Sequence, residues 1–326
     1  MILFTAVSLI LCGCSGKNAG PFSKAGLYFD TVVSVDIYGC TGDPESILTQ
    51  CMNMCDHYEK LFDKDIPESD IARINSGKAQ TLQVDADTAD LIVKALTYSS
   101  LSDGRFDITI NPVSALWDFH EGNEKIPDEA ALADAISHVD HNNIEVDTGS
   151  NTVTVKADGT SIDVGGAAKG YIADRIAEYL STCPVSGAII NIGGDIKLIG
   201  TKADGSLFNI GIKDPSDPAS CISSVFLSDM AVATSGTYER SFYKDDTFYH
   251  HILDVTSGYP VDTDVTSVTI ITDSAVASDC LCTVCIILGS DDALKLIENT
   301  AHTEAVFVLT DGSMLKSSGA NAYIRQ

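Results

Sequence analysis

Apolar positions along the chain change period several times, and each change marks an expected element. Residues 27–38, LYFDTVVSVDIY, alternate as a half-buried strand does. From Pro44 to Phe62 the apolar residues Ile47, Leu48, Cys51, Met54, Cys55, Tyr58, Leu61 and Phe62 recur at helical spacing and predict a helix. A second helix is expected over 87–100, with Leu91, Ile92, Ala95 and Leu96 on its inner stripe, stopping before Asp103-Gly104. A third, short one falls over 128–137. Residues 144–146, 152–156 and 161–164 read as short strands parted by Asp-Thr-Gly and Asp-Gly turns.

A small-residue stretch, Gly165 to Gly170, then gives way to an expected helix from Tyr171 to Leu180. Strands are expected at 187–192, 196–200, 207–212, 222–227, 230–234, 249–254 and 266–272, followed by helices over 274–288 and 291–299 and strands at 304–309 and 321–325. No Pro- or Ser-rich linker and no repeat interrupts the series. Mostly antiparallel short strands with inserted helices give an α+β class, a single domain over 26–326 in one body or two lobes.

The start of the chain follows another pattern. MILFTAVSLIL is an apolar run too short for a permanent membrane span, and it runs into Leu11-Cys12-Gly13-Cys14-Ser15-Gly16. It reads as an export signal over 1–13 with a lipoprotein-type cleavage site. Cys14 would be the lipidated first residue, and 14–25 a polar tether.

Charge narrows the partners. Twenty Lys+Arg against 46 Asp+Glu give a formal charge of −26, and no basic run offsets it, so nucleic-acid binding is excluded as a function class. Residues 1–13 contain no charged side chain, so the exported chain keeps the whole surplus. The ten cysteines include no paired C-x2-C elements of a zinc or iron–sulfur site. Once Cys12 and Cys14 are set aside, the remainder read as small buried hydrophobes.

Four places carry candidate chemistry. Ile162-Asp163-Val164-Gly165-Gly166-Ala167-Ala168-Lys169-Gly170-Tyr171 is a strand end, a small-residue turn and a helix start. Free amides there, with Lys169 as a point charge, suit a phosphate, although a tight turn with a surface lysine has the same composition. Asn191-Ile192-Gly193-Gly194-Asp195 is a second small-residue turn, which by itself asks only for a glycine at positive φ. Asp279 and Thr283 stand four apart on an otherwise apolar helix, hence on one face. As hard oxygen donors they suit Mg²⁺, or else a helix-end carboxylate and a back-bonded hydroxyl. His250 and His251 are strand neighbours, so only one of them can face a given site, and a histidine is suited to accept a proton near neutrality.

In this order the motifs are specific. Phe29-Asp30-Thr31, Ser69 to Asn75, Gly104-Arg105-Phe106-Asp107-Ile108-Thr109 through Asn111-Pro112 to Trp117, Asp163 to Tyr171, Asn191 to Asp195, Ala233 to Gly236, His251 to Gly258 and Ala277 to Thr283 together resemble the ApbE family of flavin transferases, across nearly the whole exported chain. The chain departs from the family pattern at Trp117-Asp118-Phe119, where Gly is usual in the middle, and at Ser278, Cys280 and Cys282, where small residues are usual. The resemblance implies a T-fold-like domain. It also implies FAD held around Phe29, Phe62, Arg105, Phe106, Asp107, Asp163, Lys169 and Leu253, and Mg²⁺ held by Asp279, Thr283 and the Gly166 carbonyl. The implied reaction is Mg²⁺-dependent transfer of FMN from FAD to a Thr or Ser hydroxyl of an acceptor protein, releasing AMP, with His251 taking the hydroxyl proton. Water as acceptor would make the chain an FAD pyrophosphatase, and ligand retention alone a flavin-binding lipoprotein. The resemblance further suggests acceptors among the flavin-bearing subunits of membrane redox complexes of the Na⁺-translocating NADH:quinone reductase or Rnf type. A lipid anchor on the outer face of the bacterial cytoplasmic membrane would place the protein beside them.

Overall fold

The computed structural model describes residues 20–217 and 219–324. The apolar leader and Cys14 lie outside these residues. The chain opens with a hairpin, β1 (Phe22–Tyr28) and β2 (Thr31–Tyr38), followed by α1 (Pro44–Phe62), α2 (Asp70–Ile74), β3 (Gln80–Gln83), α3 (Ala86–Leu101), α4 (Asn111–Ser114), α5 (Glu129–Ile136), β4 (Ile144–Asp147) and β5 (Thr152–Val155). Next come α6 (Gly165–Ser181), β6 (Gly187–Ile192), β7 (Asp195–Gly200), β8 (Phe208–Lys213), β9 (Cys221–Leu227), β10 (Ala231–Gly236), β11 (Ser241–Lys244) and β12 (Thr247–His250). The series ends with β13 (Val265–Thr272), α7 (Ala275–Leu288), α8 (Ser290–Glu298), β14 (Glu304–Leu309) and β15 (Met314–Lys316).

Eight strands form one sheet in the order β1-β2-β6-β7-β10-β13-β14-β15, with antiparallel pairing throughout. Its inner face, with Val33, Val35, Ile37, Ile190, Ile192, Ala233, Val268 and Ile270, packs on α1, α6 and α7 in the main core. The other face, with Leu198, Val232, Ile271 and Val306, is covered by Phe208, Ile210 and Ile212 of β8 and by Val225 and Leu227 of β9. Covered on both sides, β13 reads VTSVTIIT without alternation, as a central strand must. A third, aromatic cluster of Trp117, Phe242 and Leu253, flanked by Phe119, Tyr249 and Tyr259, joins α4, α5 and the β11–β12 hairpin. The mixed helix and antiparallel-sheet class expected from sequence is the one observed.

α1 has the bounds its apolar spacing predicts, because the ends are written locally: Asp43 accepts from the Glu45 and Ser46 amides, and Pro44 takes the first turn. Other expectations change. The strand expected over 27–38 is a hairpin bent at Phe29 and Asp30, with φ 54° and 56°. Neither residue is the glycine or asparagine that normally marks such a turn. Its first strand begins at Phe22, inside the segment read as tether, where pairing with β2 satisfies the backbone. Gly165 to Gly170 is the opening of α6 rather than a turn before it. Residues 161–164 form only a bridge from Ser161 to Ile110, and in place of the strand expected over 321–325 the described residues hold a 3₁₀ turn (Ala320–Ala322) and a bridge from Ile324 to Val225. The strand expected over 249–254 stops at His250, because Ile252 turns to accept from the Val261 amide. Among the described residues no helix is long and apolar enough to cross a membrane.

Candidate functional site

The site is built where α6 crosses α7. An ideal Cβ on Gly170 would lie 2.1 Å from the Ala275 carbonyl oxygen and 2.6 Å from Val276 Cα, so the backbones meet at a distance only glycine permits. Asp174, one turn on, locks the crossing. Its carboxylate accepts from Ser274 Oγ at 2.8 Å and from the Ala275 and Val276 amides at 2.9 and 3.1 Å, which satisfies the free donors at the start of α7. α7 is apolar nearly all round and buried, and this makes its single carboxylate, Asp279, conspicuous.

Asp279 faces α6. Its Oδ1 lies 2.9 Å from Lys169 Nζ, and its Oδ2 accepts from the Gly170 amide at 3.1 Å. Lys169 is shared: Nζ also lies 2.8 Å from Oδ2 of Asp195, a buried residue at the start of β7. The β6–β7 turn delivers Asp195 through Gly193 and Gly194, at φ 61° and 104°, and Gly194 N donates to Asn191 Oδ1 at 2.8 Å. One ammonium thus sits between two buried carboxylates. Burial alone would lower the Lys169 pKa, but the charges of Asp195 and Asp279 outweigh it and hold the pKa above its usual value. Burial and the charge of Asp279 push Asp195 up to about 7.

One turn nearer the start of α6, an ideal Cβ on Gly166 would come 3.5 Å from Thr283 Oγ1 and 3.1 Å from the edge of the Phe106 ring. Gly166 and Thr283 are therefore neighbours, as the resemblance implied, and Phe106 is their buried wall. Asp163 stands at the N-terminus of α6. Its Oδ1 accepts from the Gly165 amide at 2.9 Å; its Oδ2 lies 2.9 Å from Lys64 Nζ and accepts from Ser114 Oγ at 3.3 Å. Burial would raise the Asp163 pKa, but Lys64 and these donors hold it below the usual carboxylate value.

The two histidines separate as their adjacency required. His250 is buried and held by backbone, with Nε2 on the Val261 carbonyl at 3.2 Å and Nδ1 accepting from the Ile252 amide at 3.3 Å. His251 donates its own amide to the Arg240 carbonyl at 3.1 Å, while its ring Nδ1 is buried without a hydrogen bond. Burial and the nearby Arg240 and His250 charges push its pKa down to about 4, so at neutral pH it is an uncharged ring with a nitrogen to spare.

The remaining expected residues are more dispersed. Phe29, in its left-handed turn, donates its amide to Glu59 Oε1 at 2.7 Å. Phe62 is a core residue, stacked on Tyr58 at 5.4 Å and edge-on to Tyr171 at 5.8 Å. Asp107 is buried and fully engaged by protein donors: Oδ1 accepts from the Thr109 amide and hydroxyl in its own loop, and Oδ2 from the amide of distant His141. Arg105 is exposed, and Leu253 belongs to the aromatic cluster. Two further polar residues join these, Asp195 and Lys64, neither of them assigned a role from the sequence. For Asp195 the Asn-x-Gly-Gly-Asp turn was a usable signal; for Lys64, one charge in an exposed acidic loop, there was none. A groove of about 500 Å³, lined by Lys94, Asp174, Arg175, Lys197 and Ser274, contains none of the residues expected to hold FAD or Mg²⁺.

The chain matches the ApbE family over residues 29–307. The FAD:protein FMN transferase of Treponema pallidum is 29% identical over 95% of this chain and 91% of the relative. Its counterpart in Klebsiella pneumoniae is 30% identical over 84% and 85%. The crystal structure of the ApbE protein of Thermotoga maritima superposes with a TM-score of 0.85 at 31% identity, covering 94% of this chain and 100% of that one. The flavin transferase ApbE of Vibrio cholerae, at 23% identity, shares the fold with a TM-score of 0.83 over 94% of this chain and 100% of its own.

Proposed function

The chain belongs to the ApbE family, and from that premise we propose that it is an FAD:protein FMN transferase, moving FMN from FAD to a Thr or Ser hydroxyl of an acceptor protein and releasing AMP. The observation that carries this reading is the half-buried ammonium of Lys169, shared between buried Asp195 and Asp279 beside the Gly166–Thr283 contact. A half-buried cation at a helix crossing, close to glycine backbone, is suited to an anionic pyrophosphate.

The residues that the resemblance assigns to Mg²⁺ are chemically apt. Asp279 contributes a carboxylate, Thr283 a hydroxyl and Gly166 a carbonyl, all hard oxygens. They are few enough to leave room for water and phosphate oxygens on the ion. Among the described residues no cluster of three or more His, Cys, Asp or Glu offers a competing metal site. When bound, Mg²⁺ supplies charge neutralisation at the phosphate oxygens during cleavage.

The chain's own residues do the rest. Lys169 would bind the pyrophosphate with Asp195 holding its ammonium, and Asp279 would hold Mg²⁺. His251 Nδ1 takes the proton of the acceptor hydroxyl as its oxygen bonds to the FMN-side phosphorus and the anhydride bond to AMP breaks. An anionic substrate nearby raises the basicity of this histidine above its value in the FAD-free protein. Cys14, processed as a lipid anchor, would hold the enzyme on the outer face of the bacterial cytoplasmic membrane, beside acceptor subunits of the Na⁺-translocating NADH:quinone reductase or Rnf type.

The test is to incubate the protein with FAD, Mg²⁺ and a purified acceptor subunit, then record intact masses and AMP. A gain of one FMN on the acceptor, absent with Asp279→Asn, is the expected result. Free FMN and AMP without that gain would identify a pyrophosphatase, and FAD retained without AMP a flavin-binding protein.

A further inference from the structure

The loop between α1 and α2, 63–69, carries a lysine that the mechanism does not use. Lys64 Nζ lies 2.9 Å from Asp163 Oδ2 and 3.0 Å from Asn111 Oδ1, reaching across from a segment distant in sequence. Asn111 is itself placed, donating from Nδ2 to Ser161 Oγ at 3.0 Å, and Ser114 donates to the same Asp163 oxygen. Asp163 is thus a carboxylate whose hydrogen bonds are filled from three elements, and Lys64 is the only cation that the described residues place against it.

This carboxylate occupies an unfavourable place for an anionic ligand. It stands at the start of α6, two turns before Lys169, where the helix dipole and free amides would otherwise draw a phosphate. Left bare, its charge would oppose that attraction, and Lys169 cannot compensate because it is already shared by two acids. The chain as a whole, at −26, offers no background positive field. We propose that Lys64 is a positioning residue of the FAD site: by pairing with Asp163 it fixes that carboxylate and cancels its negative charge at the start of α6, where the pyrophosphate would bind. The inference rests on the reading of the site as an FAD site.

Both partners are partly exposed, with side-chain exposures of 37% for Lys64 and 28% for Asp163, so the effect must be screened by salt. FAD binding is measured by quenching of flavin fluorescence, at low salt and at about 0.5 M NaCl, where the Debye length falls to a few Å. Lys64→Met should weaken binding about five- to tenfold at low salt and no more than twofold at high salt. Lys64→Arg should stay within twofold of the wild type. Adding Asp163→Asn to Lys64→Met should recover part of the loss, because the uncompensated charge goes with it. An unchanged Kd in Lys64→Met, or a loss of equal size at both salt concentrations, would overturn the proposal. If the wild type itself fails to quench flavin fluorescence, it is the FAD reading that falls.

Discussion

Replacing Gly170 by Ala tests the helix crossing on which the site depends. The added methyl would stand 2.1 Å from the Ala275 carbonyl oxygen and 2.5 Å from its carbon, more than 1 Å inside van der Waals contact, and the obstacle is backbone rather than a side chain that could rotate away. Overpacking of this kind costs about 1–3 kcal/mol or more, and rigid surroundings place it at the upper end. Alanine returns about 1 kcal/mol of helix propensity, leaving a net loss of roughly 2 kcal/mol, or a fall in Tm of roughly 4 °C or more. The larger effect should be on rate. If α6 and α7 move apart by about 1 Å, Lys169 and Gly166 lose their alignment with Asp279 and Thr283, and displacement on that scale costs about 100-fold. Urea titration and a single-turnover transfer assay read the two effects separately. Gly166→Ala is the control: its methyl would meet the Phe106 edge at 3.1 Å and Thr283 Oγ1 at 3.5 Å, contacts that side chains can relieve, so transfer should fall while stability holds. A Gly170→Ala protein with wild-type Tm and wild-type rate would refute the claim that close helix approach sets the site.

Other consequences follow from the same geometry. Lys169→Met leaves Asp195 and Asp279 facing each other without their cation; the loss should be about 3 kcal/mol at pH 8 by urea titration, and smaller at pH 6, where Asp195, already at about 7, takes up a proton. His251, at about 4 in the fold against 6.5 when free, is protonated in the unfolded chain before the native one, so stability present above pH 6.5 is lost as pH falls toward 4. The difference approaches roughly 3 kcal/mol, and His251→Gln should flatten that part of the stability profile. Phe62→Ala should cost about 3–5 kcal/mol in urea titration, because its ring is buried against Tyr58 and Tyr171. At pH 8, replacing Mg²⁺ by a chelator should raise the Kd for FAD at least tenfold by fluorescence titration, since with Asp195 ionised the Lys169 trio carries a net negative charge before a metal arrives.

The elements legible in the sequence are those whose cause is local. α1 carries its cap, its proline and its apolar stripe within its own span. The strands from β6 to β10 are apolar runs set off by glycine and aspartate turns, and all of them form close to the expected positions. Errors arise where a distant partner decides. The hairpin at Phe29 and Asp30 has no turn residue of the usual kind, and two left-handed residues are held there by strand pairing and by Glu59. Gly165 to Gly170 looks like a turn because glycine weakens a helix by about 1 kcal/mol each, yet it is helical because α7 requires a residue without a side chain at 170.

The same division runs through the site. Asp279 and Thr283 could be paired by eye, since four residues on one helix fix their common face. Lys169 could be seen as a charge at a glycine-rich helix start, but not as a shared one: Asp195 reaches it from the next hairpin, and nothing in either segment alone specifies the meeting. Lys64 is further from view, because its significance lies entirely in Asp163, 99 residues later. A motif can therefore supply the residues that touch substrate, whereas the residues that set their charge come from elsewhere in the fold. In a chain of −26 those compensating contacts decide whether an anionic dinucleotide can bind at all.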